Sequence, residues 1–196
     1  GDTTRNATNV FHVTKLKVKN ILGGTTLMKF SAGFYRIDPV WDVTYDVREF
    51  IDLVQRSEAA EVVDRAEAER LLKEAALLYQ GDFLTGISDG WVISRRQELK
   101  HIMSEVLMRL AGYAAGRSDA SEAESLLRRS LRHDPLNTAA VSALVDLLLA
   151  QGQHDDALTT IEQTLRAHTS AGQAIDPRLR QRYDDLRGTG AVPASD

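Results

Sequence analysis

Cysteine is absent from the 196 residues, so disulfides and thiolate zinc sites are excluded, and the composition fits a reducing cytosol. Long apolar runs are missing as well. The longest, Ala143 to Ala150, is interrupted by Asp146 and falls far short of the ~20 residues of a membrane span. Residues 1–20 carry charge throughout and contain no apolar stretch of the secretory kind. Groups that could converge for catalysis are scarce: the five histidines (His12, His101, His133, His154 and His168) are isolated, and no paired metal-ligand spacing occurs. Gly81, Gly86 and Gly90 are not a phosphate loop, because Ile87-Ser88 follows where Lys-Ser/Thr is required and no buried strand leads in. The sequence therefore implies no enzyme, no metal, no cofactor and no membrane partner, and a cytoplasmic location.

What is present is a soluble-protein composition, 43% apolar and 27% charged, with an uneven charge distribution. Residues 1–30 hold Arg5, Lys15, Lys17, Lys19 and Lys29 against Asp2 alone, whereas the remainder carries 19 basic and 27 acidic groups. A polyanion-binding surface, if there is one, belongs at the N-terminus, although charge alone does not separate this pattern from chance.

Periodicity divides the chain. Over 5–22, Val10, Phe11, Val18, Ile21 and Leu22 gather with Thr14 on one helical face, and Arg5, Thr8, Asn9, His12, Lys15, Leu16, Lys19 and Asn20 on the other. Gly23-Gly24 ends that helix. Thr26–Phe30 and Phe34–Ile37 are β-prone runs around a hairpin tip at Ser31-Ala32-Gly33, and Val40–Tyr45 alternates as a third short strand. A helix followed by a hairpin, with lysines on both, is the back half of a winged helix.

Beyond Asp46 the pattern is helical, over about 46–57, 64–79, 91–116, 119–133, 137–151, 154–170 and 176–187. Asp46/Glu49, Asp64/Glu67 and Asp119/Glu122 resemble capping boxes at three of the starts. A shift of 34 residues superposes Leu107 on Val141, Leu110 on Leu144, Ala123 on Ala157, Leu127 on Ile161 and Leu131 on Leu165. Thirty-four is the tetratricopeptide (TPR) period, with Pro135 as the closing proline. The match departs from that pattern at Ala111, where glycine is usual, and at Thr169, where proline is; a generic helical bundle is the alternative. The fold class is mainly α: a partial winged helix, then a TPR-like bundle of about seven helices. Gly188 to Asp196 has little to bury and is expected to be disordered.

Residues 75–99, AALLYQGDFLTGISDGWVISRRQEL, resemble the signature of the bacterial transcriptional activator domain through Leu78, Tyr79, Gly81, Asp82, Phe83, Leu84, Trp91, Arg96 and Leu99. Asp46–Phe50, His133–Leu136, Gly152 and Ala157-Leu158 are similar to other parts of that domain. The resemblance covers residues 40–170. It implies a preceding OmpR-type winged helix, as in antibiotic-cluster regulators and EmbR-like proteins. Residues 9–22 resemble its recognition helix and Gly33–Ile37 the second strand of its wing. The Arg-Leu-Arg run of that family stands here as Lys17-Val18-Lys19, and the fold's earlier helices and N-terminal sheet have no counterpart in the sequence; either they precede Gly1 or independent DNA binding has been lost. The implied organisation is 1–39 as the end of a winged helix, 40–188 as the activator domain, and 189–196 as a tail.

On this reading duplex DNA is the partner of the first segment, and a protein or a second copy is the partner of the helices. Arg5, Asn9 and His12 would face base edges, while Lys15, Lys17, Lys19 and Lys29 would meet phosphates. Leu16, on the same face, touches a thymine methyl or packs on protein. A solvated helix face is the plainer account of any one of these residues, and a TPR-type scaffold without DNA binding is the rival function. Tyr79, Phe83 and Trp91 read as core at helix junctions rather than as a ligand pocket. The inner positions of the repeat, Met108, Gly112, Ala115, Ala139, Ser142 and Leu149, offer no basic clamp for a carboxylate.

Overall fold

The computed structural model describes residues 2–41 and 43–189, and side chains from Thr8 to Gly188. It forms two compact units, Gly1–Tyr45 and Asp46–Asp196. The first contains helix α1 (Asp2–Ile21) and an antiparallel hairpin, β1 (Met28–Ser31) and β2 (Phe34–Ile37). Helix α1 ends where the sequence requires: the Gly24 N–H reaches back to the Lys19 carbonyl at 2.8 Å, with Gly23 and Gly24 both at positive φ. The hairpin tip is a two-residue turn. Ser31 pairs with Phe34, leaving Ala32 and Gly33 at φ 50° and 83°, the left-handed pair that a right-twisted hairpin needs.

The expected third strand does not form among the described residues of 40–45. Asp38 and Pro39 instead start a turn closed by the Trp41 N–H on the Asp38 carbonyl at 2.9 Å, with proline in the position that pre-sets its φ. The Trp41 indole N–H then donates to the Thr26 carbonyl at 3.2 Å, tying the chain to the start of the hairpin.

The second unit has seven helices among the described residues: α2 (Asp46–Ala60), α3 (Arg65–Leu78), α4 (Gly90–Gly116), α5 (Ala120–His133), α6 (Thr138–Ala150), α7 (His154–Ser170) and α8 (Pro177–Thr189). Each packs on the next, as three successive helix pairs closed by α8. The fold is mainly α, as the sequence implies. Asp64 caps α3 through the N–H groups of Ala66 and Glu67, and Asp119 caps α5 through that of Glu122. Among the described residues, the Asp46 side chain accepts from the Val47 N–H at 2.8 Å. Asn137, which periodicity alone placed inside α6, is its cap and accepts from Ala140 at 3.0 Å. Of the tail expected to be disordered, Gly188 and Thr189 instead continue α8, and residues from 190 lie outside the described residues.

The 34-residue repeat is visible in the packing. Leu107 and Val141, Leu110 and Leu144, Ala123 and Ala157, and Leu127 and Ile161 are all buried, while Leu131 and Leu165 both lie at the edge of the core. The repeat extends to backbone that the apolar alignment left out. Ser118 and Gly152, 34 residues apart, both adopt positive φ after the first helix of a pair. The next N–H closes the same bond in each case, Asp119 to Ala114 and Gln153 to Leu148. Most buried polar groups are satisfied within this frame, the Tyr79 hydroxyl being buried without a hydrogen-bond partner among the described residues. The Ser130 hydroxyl donates to the Ser104 carbonyl, and the Asn137 amide donates to the Ser104 hydroxyl, which in turn donates to Ser130. One such network joins α4, α5 and the cap of α6.

A serine at a left-handed position costs backbone energy that glycine avoids, offset in part by the greater freedom of glycine in the unfolded chain. Ser118→Gly should stabilise the protein by about 1 kcal/mol in urea unfolding, and Gly152→Ser should destabilise it by about as much. Equal midpoints for both variants and the parent would contradict this backbone account of the repeat.

Candidate nucleic-acid interface

A polyanion surface needs exposed cations on a rigid element, and α1 supplies several. Asn9, Lys17 and Lys19 are exposed on it; Arg5 lies in the same helix, but its side chain falls outside the described residues. His12 and Lys15 turn toward the hairpin. Tyr35 of β2 is the hub: its ring lies 4.7 Å from Phe11, 4.9 Å from Phe30 and 6.3 Å from His12, and the Lys15 ammonium sits 4.9 Å above it. The electron-rich ring face attracts the ammonium, so Lys15 is half-buried against protein instead of projecting freely. The two faces read from periodicity are thus rotated. Phe11, Lys15 and Val18 face the hairpin and the chain leading into it, whereas Val10 and Ile21, expected to be inward, remain 60% and 82% exposed.

Lys29 on β1 stands opposite Arg36 in the hairpin register, a like-charge pair that destabilises a bare hairpin. Asp38 relieves it, with a carboxylate oxygen 2.5 Å from the Lys29 ammonium. The hydrogen bond from Lys29 first, and the Val40 N–H second, hold the Asp38 carboxyl below its usual range. Lys29 keeps an exposed side chain but is already paired. Neither Tyr35 nor Asp38 was singled out by the sequence. A signal for Asp38 existed, since it lies just beyond the strand end that pairs with Met28.

The first unit has almost no interior. Asp38 is its one buried side chain among those described, and Leu16, Phe30 and Phe34 are exposed. An open groove of about 390 Å³ runs between α1 and the chain leading into β1, lined by Phe11, Leu16 and Val18 on the helix and Leu27 and Met28 opposite.

The signature segment of the second unit, between α3 and α4, is a backbone lock. The Arg96 guanidinium donates to the carbonyls of Phe83, Leu84 and Ile87 at 2.9, 2.8 and 3.1 Å, holding a loop in which Leu84 has φ 44°. Lys100 pairs with Asp82 at 2.9 Å. Tyr79 and Phe83 pack on the core as expected, Tyr79 with its ring between those of Phe50 and His133. Trp91 does not: it is 64% exposed and touches Phe83 edge-on. The next residue, Val92, takes the buried position on the first turn of α4, which turns Trp91 outward. Among the described residues, no histidine and carboxylate cluster could hold a metal, and no helix is long and apolar enough to cross a membrane.

His133 is half-buried in this frame. Burial first, and then Arg129, Lys100 and Arg132, hold its pKa below the ordinary histidine value, with Asp82 opposing. A depressed folded pKa means that the unfolded chain takes up the proton first. Stability is therefore full above the unfolded value of about 6.5 and falls as pH drops below it toward the folded value. Replacing His133 with glutamine should flatten stability across that window in urea unfolding; an unchanged slope would show that the burial of the ring is not what sets it.

Comparison with known proteins follows the same division. A family model described as the bacterial transcriptional activator domain matches residues 45–187. No curated protein matches. Among solved structures, the C-terminal TPR-containing domain of a Plasmodium falciparum FK506-binding protein is similar, with a TM-score of 0.52 at 15% identity over 76% of this chain and 95% of that one. At that identity the likeness is one of fold, and it supports the stacked helix pairs of the second unit.

Proposed function

The chain belongs to the bacterial transcriptional activator domain family, and from that premise we propose that it is part of a DNA-binding transcription regulator in the cytoplasm. The first unit is read as the end of a winged helix, with α1 as its recognition helix and the hairpin as its wing. The second unit serves regulation through contacts with a partner protein or a second copy, and carries no catalysis. The observation that supports this most is the juxtaposition of an exposed polar and basic helix with a tight hairpin, immediately ahead of the family domain.

In a major groove, Asn9 has the paired donor and acceptor that adenine requires, and Arg5 and His12 share its stripe. Lys17 and Lys19 are placed to meet phosphates, which set register and affinity without reading sequence. Lys15 and Lys29 contribute charge while held by Tyr35 and Asp38. Val10 and Ile21 leave an apolar strip on which the remaining helices of a winged helix would pack. The engagement of Lys15 and Lys29 within the unit favours the second reading, a TPR-type interaction scaffold whose first unit has no nucleic-acid role.

Salt separates the two. The regulator reading predicts weak, sequence-tolerant duplex binding by this chain, with Kd ~10⁻⁴–10⁻⁶ M and a steep fall with salt. Replacing Lys17 and Lys19 by glutamine should reduce the log–log salt slope by about 2, roughly one per lost phosphate contact. Absent or salt-insensitive binding, or a slope unmoved by the double substitution, would favour the scaffold.

A further inference from the structure

The inner positions of the repeat singled out in the sequence are small or apolar. The structure adds charge there. Thr138 and Ser142 of α6 stand across a cavity of about 320 Å³ from Asp176, Arg178, Leu179 and Arg182, all on or just before α8. Leu179 is buried and forms an apolar floor. The two guanidiniums in the lining outnumber its one carboxylate, although the second unit as a whole carries more acidic than basic groups.

The partners of these charges leave one of them available. Asp176 accepts from the Arg178 backbone N–H at 2.9 Å, acting as the cap of α8 ahead of Pro177. Arg182 is held by Asp146 of α6. The Ser142 hydroxyl donates to the Thr138 carbonyl at 2.9 Å. The Arg178 side chain is exposed and has no ion-pair partner among the described residues. A planar guanidinium at the mouth of a cavity with an apolar floor matches a carboxylate carried on a short stem, because its fork donates two parallel hydrogen bonds. The volume suits one or two side chains rather than a folded surface.

We propose that the groove between α6 and α8 binds an extended segment of a partner protein through an aspartate or glutamate side chain, with Arg178 as the recognising cation and Leu179 packing the adjacent apolar residue. This rests on reading the second unit as a protein-contact surface and is independent of DNA binding by α1. The test is fluorescence anisotropy of the full chain with a labelled peptide alternating aspartate and leucine, beside the same peptide with asparagine for aspartate. The aspartate peptide should bind at least ~10-fold more tightly than the asparagine peptide, the effect of one charged hydrogen-bonded contact. Arg178→Gln should remove that difference, and Arg129→Gln, on α5, should leave it intact. Circular dichroism checks that Arg178→Gln is folded.

Three results would overturn the assignment: equal affinity for the two peptides, no binding of either, or equal weakening by Arg178→Gln and Arg129→Gln, which marks general charge attraction. Sedimentation of the same samples records self-association. A chain that dimerises but ignores the acidic peptide keeps the protein-contact reading and loses this one.

Discussion

The helices of the second unit meet where their side chains are smallest, and the rest of that unit follows from this close approach. Ala68, Ala75, Ala111, Ala114, Ala123, Ala140 and Ala157 are all at most 2% exposed, on five of the seven helices. Between these contacts Leu71, Leu72, Leu107, Leu144, Leu148 and Ile161 fill the space, each contributing ~1.5–3 kcal/mol by leaving water. Tight spacing also dictates the connections. From α4 to α7 the helices are joined by turns of a few residues, two of which reverse the chain through the left-handed positions Ser118 and Gly152. Buried polar groups in such a frame are mostly paired, as in the Ser104, Ser130 and Asn137 network and the Thr160, Thr164 and His168 ladder along α7.

The first unit lives under a different constraint. Its order comes from one aromatic ring with a lysine above it, a two-residue turn and an ion pair at the strand end, not from an enclosed core. Side chains committed to holding α1 against the hairpin are partly withdrawn from any other role, and this divides the basic residues. Lys17 and Lys19 are exposed, while Lys15 and Lys29 are engaged by Tyr35 and Asp38.

These two regimes explain what was legible in the sequence. Helix positions in the second unit follow from apolar periodicity and from aspartate caps, both local signals, and the 34-residue shift exposes their repetition. Asn137 was missed as a cap because its role depends on the turn after Pro135, which periodicity does not register. Trp91 was misplaced because size and apolarity suggest burial, whereas the phase of α4 gives the inward position to Val92. In the first unit, amphipathicity found the helix but not its orientation. Among the described residues of its unit, α1 packs on a narrow hairpin, and Tyr35 drew Lys15 and His12 toward it. The strand expected over Val40–Tyr45 gave way to the turn begun by Asp38-Pro39, where an Asx bond to Val40 and proline's fixed φ act together.

The proposed function is a division of labour in which α1 and the hairpin would meet nucleic acid and the stacked helices would meet protein. Backbone amide shifts of the isotopically labelled full chain, followed by NMR during titration with duplex DNA at low salt, test it most directly. The account predicts perturbations concentrated in residues 8–36, strongest near Asn9, Lys17 and Lys19, with the amides of α4 to α8 unmoved. Perturbations centred on the stacked helices, or none at saturating DNA, would contradict it.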